Sequence, residues 1–506
     1  MPDRPGGSEA RSIAVSTSTQ LAAKLLHVVL NIVSTLAVIR AMTPSRYGDF
    51  VLVLSVTTLM GVVADFGLAK LAVREIAGSG APEGTVIGTA IVGRLFLSAV
   101  AFVLAEGVLF ALGATGAVKT AAAVASVLFI TESVMTVVVV CQVRLRQHYE
   151  AIVRVCVEAV ETTTVVVLVA RHASLVQLFT APSAAAVLGA IAAVVVTRRR
   201  FGLHLSVDWA WFRRLLRQSV PVGPALLLGV ATLRLESVLL AAMRSARDVG
   251  IYGAAFQPIE YAFLTSAVVI GVLFPLLARW HGVDRDRFQG VYRAGTETLV
   301  GAVLPLPVVL AFVAGPVVSL VYSGQYVGAD GTLRILAVAL VLMTVNAWNS
   351  FVLLAGGRQR VTLAYDAAAL VLNLLINVAL VTWFGVVGAA WAVLATNAFV
   401  AVVSTAATRG LGVTLDWGRM ARLLAAGAVL AATLAALQGA GVAWWAAAGF
   451  ALATYPVCLQ VLGLYDVREL RAAIRDGAVG GPDGGPPPLV ADGVDIVPAM
   501  TAGGAW

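Results

Sequence analysis

Charge is scarce in this chain. Of its 506 residues only 12% are Asp, Glu, Lys or Arg, while 60% are hydrophobic. Soluble domains carry roughly 25% charged residues, so a water-soluble globular protein is excluded and a polytopic membrane protein is expected. Cysteine is nearly absent as well. Cys141, Cys156 and Cys458 have neither paired nor metal-like spacing, and each sits in or beside an apolar run. They read as inert packing residues, and no metal site or cofactor is expected. HExxH, GxSxG and a P-loop are all missing, which removes the commonest soluble-enzyme constellations. The first dozen residues are polar, with no small-residue processing site after a short apolar core, so the first helix is expected to stay as an anchor.

What is present is a succession of apolar runs divided by polar turns. None shows the alternation of a barrel strand, so helices that satisfy their own backbone in lipid are expected. Fourteen spans are expected at about 13–39, 47–69, 87–112, 118–142, 151–170, 175–197, 218–243, 251–278, 294–322, 331–355, 361–383, 386–408, 420–438 and 441–463. With the N-terminus in the cytoplasm, 25 of the 35 Lys and Arg fall in inward segments and 7 in outward loops, leaving Lys24, Arg94 and Arg234 inside spans. That bias predicts both termini inside. The net charge of +8 is therefore a topology signal and a contact for anionic lipid headgroups rather than a nucleic-acid surface.

Two stretches repeat. The turn from Ala41-Met42 to Tyr47-Gly48 recurs as Ala242-Met243 to Val249-Gly250, and Arg146-Gln147 recurs as Arg358-Gln359. The reading is a six-helix half at 1–200, a basic cytoplasmic linker at 201–217, a second half at 218–410, an extra helix pair at 411–465 and a cytoplasmic tail at 466–506. An even number of spans per half makes the repeat parallel, with a central cavity between halves. The tail is Gly/Pro-rich from Gly477 and is expected to be disordered.

An ionisable side chain at mid-bilayer costs roughly 2.5–3.5 kcal/mol on insertion scales, so it faces a cavity or a partner. In the first span Gln20, Lys24, His27, Asn31 and Ser34 share one helical face. In the seventh, Pro221 to Pro224 predict a kink, followed by Arg234. Lys24, Arg234 and Arg94 are candidates for an anionic headgroup such as a pyrophosphate. The competing reading is an internal ion pair with Asp65, Glu132 or Glu236. Gln257, Glu260 and Tyr261 share a face of the eighth span and extend the candidate cavity lining. Glu132 and Asp366 are the candidates for ion coupling, though no single acid stands out. Arg154, Glu158 and Thr162 recur every fourth residue and read as a structural salt bridge on one helix.

One stretch carries a family pattern: Arg40, Pro44, Tyr47, Gly48 and Phe50, a long apolar span, then Asp65-Phe66-Gly67-Leu68 and Arg74-Glu75-Ile76-Ala77. It resembles the opening helix pair of the polysaccharide transporters (Wzx-like) that flip lipid-linked oligosaccharides, within the multidrug/oligosaccharidyl-lipid/polysaccharide exporter superfamily. Tyr322, Gly324, Tyr326, Ala329, Gly357-Arg358, Asn373, Asn377, Phe384-Gly385 and Gly388-Ala389-Ala390 are similar to its later loops and helices. Leu380 to Trp383 depart from it by lacking a Pro. The resemblance implies an all-α fold of about 14 transmembrane helices in a bacterial plasma membrane. It also implies alternating-access flipping of an undecaprenyl-type lipid-linked glycan, without enzymatic activity, alongside a polysaccharide polymerase or export machinery. On this reading Asp65 is a gate or packing contact, and the outer turn at Arg40 to Tyr47 is a moving joint. The rivals are a drug/cation antiporter, which should have twelve spans and an acid-dominated pocket, and a membrane polysaccharide polymerase, which should have a large outer loop.

Overall fold

A computed structural model describes residues 26–464, apart from 145, 147 and 323. Lys24, the start of the first expected span and the Gly/Pro-rich tail lie outside the described residues. Within them there is no strand. Ten helical segments are long and apolar enough to cross a membrane. As far as they are described, the fourteen expected spans fall on helix, so the chain is an all-α polytopic membrane protein.

The helices are α1 (Leu26–Ala41 as described), α2 (Pro44–Asp65), α3 (Leu68–Ser79), α4 (Glu83–Ala111), α5 (Gly116–Ala125), α6 (Val127–Met135), α7 (Val139–Val143), α8 (His148–Ala170) and α9 (Leu175–Phe201). They continue with α10 (Trp209–Met243), α11 (Ala246–Trp280), α12 (Arg285–Val303), α13 (Pro305–Val321), α14 (Ala329–Ala355), α15 (Gln359–Arg409), α16 (Trp417–Gly439) and α17 (Trp444–Val461). The 51 residues of α15 are two spans run together, because Gly385 breaks the helix with φ 59° and ψ −133°. That conformation is open to glycine and costly for other residues.

Two departures from the expected spans are local. The second span ends at Asp65 instead of running on, because Phe66 (φ 45°) and Gly67 (φ 80°) adopt left-handed backbone before α3 begins. The fourth span is not one helix. A 3-10 turn at Thr136–Val138 separates α6 from α7.

The chain packs as two compact units, one ending at Gly250 and one beginning at Ile251. In the first, α10 lies on α2, α3 and α4. Its largest buried cluster draws on Leu68, Leu71 and Ala72 of α3, Val86 and Ala90 of α4, Val137 to Cys141, Ala190 and Ala193 of α9, and Leu215 of α10. Small residues at these faces let backbones approach, the packing that substitutes for a hydrophobic drive in lipid. Turns expected on one side of the membrane meet one another. Arg46 Nη2 donates to the Ala173 carbonyl at 3.0 Å, joining two turns expected on the same side. At the other end Arg144 Nη2 bonds Glu83 at 2.8 Å, and this bond holds the guanidinium above its ordinary pKa.

Residues 202–208 cross the start of α4 as an extended strap. Ser206 N donates to the Gly84 carbonyl at 3.2 Å, and Asp208 N to Thr89 Oγ1 at 3.1 Å. A Cβ on Gly84 or Gly88 would overlap the strap backbone. Asp208 then caps α10 by accepting from Ala210 N at 2.7 Å.

In the second unit α13, α14 and α15 pack in succession, and α16 with α17 packs on α13. Leu423, Ala426, Leu430 and Leu434 of α16 meet Ala447, Ala451 and Tyr455 of α17 and Val309 and Val313 of α13 in one core. Tyr455 Oη donates to the Gly301 carbonyl at 3.0 Å, and Arg419 Nη1 reaches Glu297 at 2.9 Å. Trp348 is fully buried, and its indole N–H donates to the Tyr292 carbonyl at 3.2 Å.

The repeated outer turns contribute the tightest backbone approach of the first unit. A Cβ on Gly48 would overlap the Ala246 carbonyl, and one on Gly250 would overlap the Pro44 carbonyl. Gly48→Ala and Gly250→Ala should each destabilise the protein by about 1–3 kcal/mol through overpacking. The check is thermal unfolding of the purified protein in detergent, with a lowered midpoint for both and no change for Gly107→Ala, where nothing lies within 4 Å.

Candidate substrate and ion site

Asp65 is the last residue of α2 and stands at a helix break within an apolar segment that runs from Pro44 to Gly78, where a charge needs a partner. Its Oδ2 accepts the Gly67 N–H at 3.2 Å, and its Oδ1 faces Arg94 Nε at 3.1 Å. Arg94 is buried on α4. Its other contacts run to α6 and beyond: Nη1 donates to the Glu132 carbonyl at 2.7 Å and to Thr136 Oγ1 at 2.5 Å. The Glu132 carbonyl that Arg94 bonds is also the acceptor that Thr136 N–H would use in an α-helix. That N–H turns to Ser133 instead, which is the 3-10 step dividing the fourth span. The break is also packed from outside, since a Cβ on Gly223 of α10 would overlap the Phe66 ring.

A second set of charges lies along α8. Arg154 pairs with Glu150 at 3.1 Å and with Glu132 of α6 at 3.8 Å. Glu150 also accepts from Gln142 Nε2 at 3.2 Å. His27 Nδ1 of α1 bonds Glu158 Oε2. The expected Arg154–Glu158 salt bridge is therefore replaced. Arg154 has acids one turn away on either side, and it takes the one N-terminal to it because His27 occupies the other. Spacing along α8 could not make that choice, since His27 and Glu158 are 131 residues apart.

These side chains form a polar row across α1, α2, α4, α6 and α8, and its open end is charged. The side chain of Arg154 is 50% exposed and that of Glu132 44%, against 8% for Arg94. Of the residues expected to line a cavity, His27 and Arg94 are joined to this row, and Asn31 is buried one turn along α1 from His27. Arg234 is buried on α10. Gln257, Glu260 and Asp366 belong to the second unit and are partly buried. There Asn373 Nδ2 donates to Thr396 Oγ1 at 3.3 Å across the two spans of α15, and Asn377 Nδ2 donates to Asn373 Oδ1 at 3.1 Å. The reading of Arg94 as a pair with Asp65 rather than an open cation matches this geometry. Among the described residues no group of three or more His, Cys, Asp or Glu could hold a metal ion. The row can hold and exchange charge partners, which suits binding of an anionic or cationic solute.

The sequence model of a family described as "Polysaccharide biosynthesis protein" matches residues 10–281. The teichuronic acid biosynthesis protein TuaB of Bacillus subtilis is 27% identical over 142 residues, 27% of this chain and 29% of TuaB. The probable low-salt glycan biosynthesis flippase Agl15 of Haloferax volcanii is 23% identical over 157 residues, 31% of this chain and 33% of Agl15. The matched stretch thus spans about a third of each relative's length. Among solved structures, the inward closed conformation of the lipid II flippase MurJ superposes with a TM-score of 0.74 at 11% identity, covering 89% of this chain and 99% of MurJ. An inward-facing multidrug resistance MATE family transporter superposes at 0.60 and 16% identity, covering 76% and 94%. At these identities the likeness is one of fold.

Arg94→Ala should be the most damaging single change in the row. It leaves Asp65 and the Glu132 carbonyl without their partner, at a cost of about 3–5 kcal/mol for a broken buried pair. Asp65→Asn should be milder, because Arg94 keeps two oxygen acceptors. Steady-state abundance and melting midpoint of the membrane-extracted protein check this ordering; equal effects of both variants would contradict it.

Proposed function

Because this chain belongs to the polysaccharide biosynthesis protein family, we propose that it is a flippase carrying an undecaprenyl-type lipid-linked oligosaccharide across the bacterial plasma membrane. The observation that carries the reading is the family match over residues 10–281, and the charged row inside the membrane is its physical complement. On this reading the chain forms no covalent bond. It works by alternating access between the halves 1–200 and 218–410, joined by the linker 201–217, with both termini cytoplasmic. The extra pair 411–465 flanks the second half, and the tail is 466–506. The diphosphate enters a cationic cavity while the polyprenyl tail stays in lipid.

On this reading the cations take different roles. Arg94 holds the break at Asp65 and acts as a structural clamp. Lys24 and Arg234 bind the diphosphate, and His27, Asn31, Gln257 and Glu260 line the route. Arg154 joins them as the exposed cation of the row. Glu132 is the better-placed coupling acid, because it shares Arg154 with Glu150 and can release it when a cation arrives; Asp366 is the alternative in the second half. A coupled ion drives the cycle only through different affinities for the inward and outward states. Anionic lipids and a polysaccharide polymerase or export machinery are its proposed partners. The fold also resembles that of a multidrug resistance MATE family transporter, at the lower TM-score of 0.60, so the competing reading is a drug/cation antiporter.

Reconstituted vesicles separate the two. With a fluorescent polyprenyl-diphosphate oligosaccharide in one leaflet, the wild-type protein should expose it to an impermeant quencher on the other side. Arg234→Ala should insert normally and slow the transfer by about ten-fold or more, the loss of a charge-assisted hydrogen bond worth roughly 1.5–3 kcal/mol. A protein idle towards this lipid that moves a cationic drug would support the antiporter instead.

A further inference from the structure

The end of the first unit where α9 passes through the strap into α10 carries arginines of two kinds. Arg144, Arg214 and Arg74 are committed within the protein, to Glu83, Glu75 and Gln218 respectively. Arg198, Arg199 and Arg200 in the last turn of α9, and Arg213 and Arg217 on α10, are exposed and have no acidic partner among the described residues. The carboxylates nearby are already used: Glu83 and Glu75 by the pairs just named, Asp208 by capping α10.

The start of α10 shows how this surface is meant to sit. Leu215 and Ser219 are buried one turn apart on its inner side, with Leu215 in the core against Phe201 and Leu203. The opposite side presents Trp209, Arg213 and Arg217 at i, i+4 and i+8, one exposed stripe. Trp209 is 65% exposed, and Leu205 and Val207 on the strap are 46% and 48% exposed. The apolar run of this helix begins at about residue 218, which sets the stripe at the bilayer boundary. Exposed Trp and aliphatic side chains beside unpaired arginines, at that depth, match the interface between acyl chains and headgroups. Arginines in the last turn of α9 also suit its helix dipole, but that explains neither the α10 stripe nor the exposed apolar residues.

We propose that this surface is a docking site for anionic phospholipid headgroups, with Trp209, Leu205 and Val207 entering the acyl boundary and the unpaired arginines taking the phosphates. Each basic side chain near an anionic leaflet adds a favourable attraction, so the five together give a several-fold selectivity for acidic lipid over zwitterionic lipid. The site holds the strap and the first half of α10 to the bilayer surface. The proposal requires only that the chain spans a membrane, and it stands whether or not the transported solute is a lipid-linked glycan.

The test is the association of spin-labelled phosphatidylglycerol and phosphatidylcholine with the full-length protein in phosphatidylcholine vesicles. Wild type should immobilise phosphatidylglycerol with several-fold preference, and high salt should reduce that preference. R213Q/R217Q and R198Q/R199Q/R200Q should each lower it, and the combined variant should bring it close to parity; both sets are exposed, and monodisperse elution reports folding. Equal association of the two lipids with wild type, or a preference that survives both the combined variant and high salt, would overturn the proposal. If the combined variant fails to fold, the salt dependence of wild type and the R213Q/R217Q pair decide.

Discussion

An acid at a helix break within an apolar segment needs a cation and a donor, and much of the first unit is arranged to supply them. The pair between Asp65 and Arg94, at 3.1 Å, closes the end of α2, and the Gly67 N–H completes the carboxylate's shell. Arg94 in turn bonds the Glu132 carbonyl of α6, next to a 3-10 step. To leave room for Phe66, α10 carries Gly223. One charge pair therefore joins the end of one helix to the irregularity in a second, beside a glycine in a third. In water a pair of this kind contributes little. Here desolvation makes its breakage costly, and geometry rather than net energy explains why it recurs through so many contacts.

The helical fold was readable because lipid leaves so few choices. Length and polarity of the apolar runs are enough to place spans when every backbone group must be satisfied within the segment. The turns were readable too, from Thr43-Pro44 at the start of α2 to Phe384-Gly385, where Gly385 divides α15. The site was legible only in outline. The polar face of the first span pointed to His27, but nothing local could name Glu158 as its partner. Asp-Phe-Gly marked a special place without revealing that Phe66 itself takes left-handed backbone. The bond of Thr136 to Arg94, a residue 42 positions away, could not be seen from Val127 to Val143 alone. Charged pairs between helices depend on the order in which the helices are stacked, and periodicity does not encode that order.

The arginines divide along the same line. Those with an internal acid, such as Arg94, Arg144 and Arg154, staple helices or turns together. Arg198, Arg199, Arg200, Arg213 and Arg217, without an acidic partner among the described residues, gather where α9 passes into α10, beside exposed Trp209. A single count of basic residues merges the two groups, although one serves the protein's interior and the other its surroundings. On the proposed alternating-access reading the division matters, since staples would keep each half rigid while the proposed lipid surface would hold it in register with the bilayer.

The central claim is that this chain moves a lipid-linked glycan between leaflets. It is tested most directly by removing the chain from its host cells and locating the lipid-linked glycan by leaflet-specific labelling of its sugars. The account predicts that the intermediate accumulates on the cytoplasmic leaflet and that surface polysaccharide falls. Normal surface polysaccharide without any accumulated intermediate, together with altered sensitivity to cationic drugs, would contradict it.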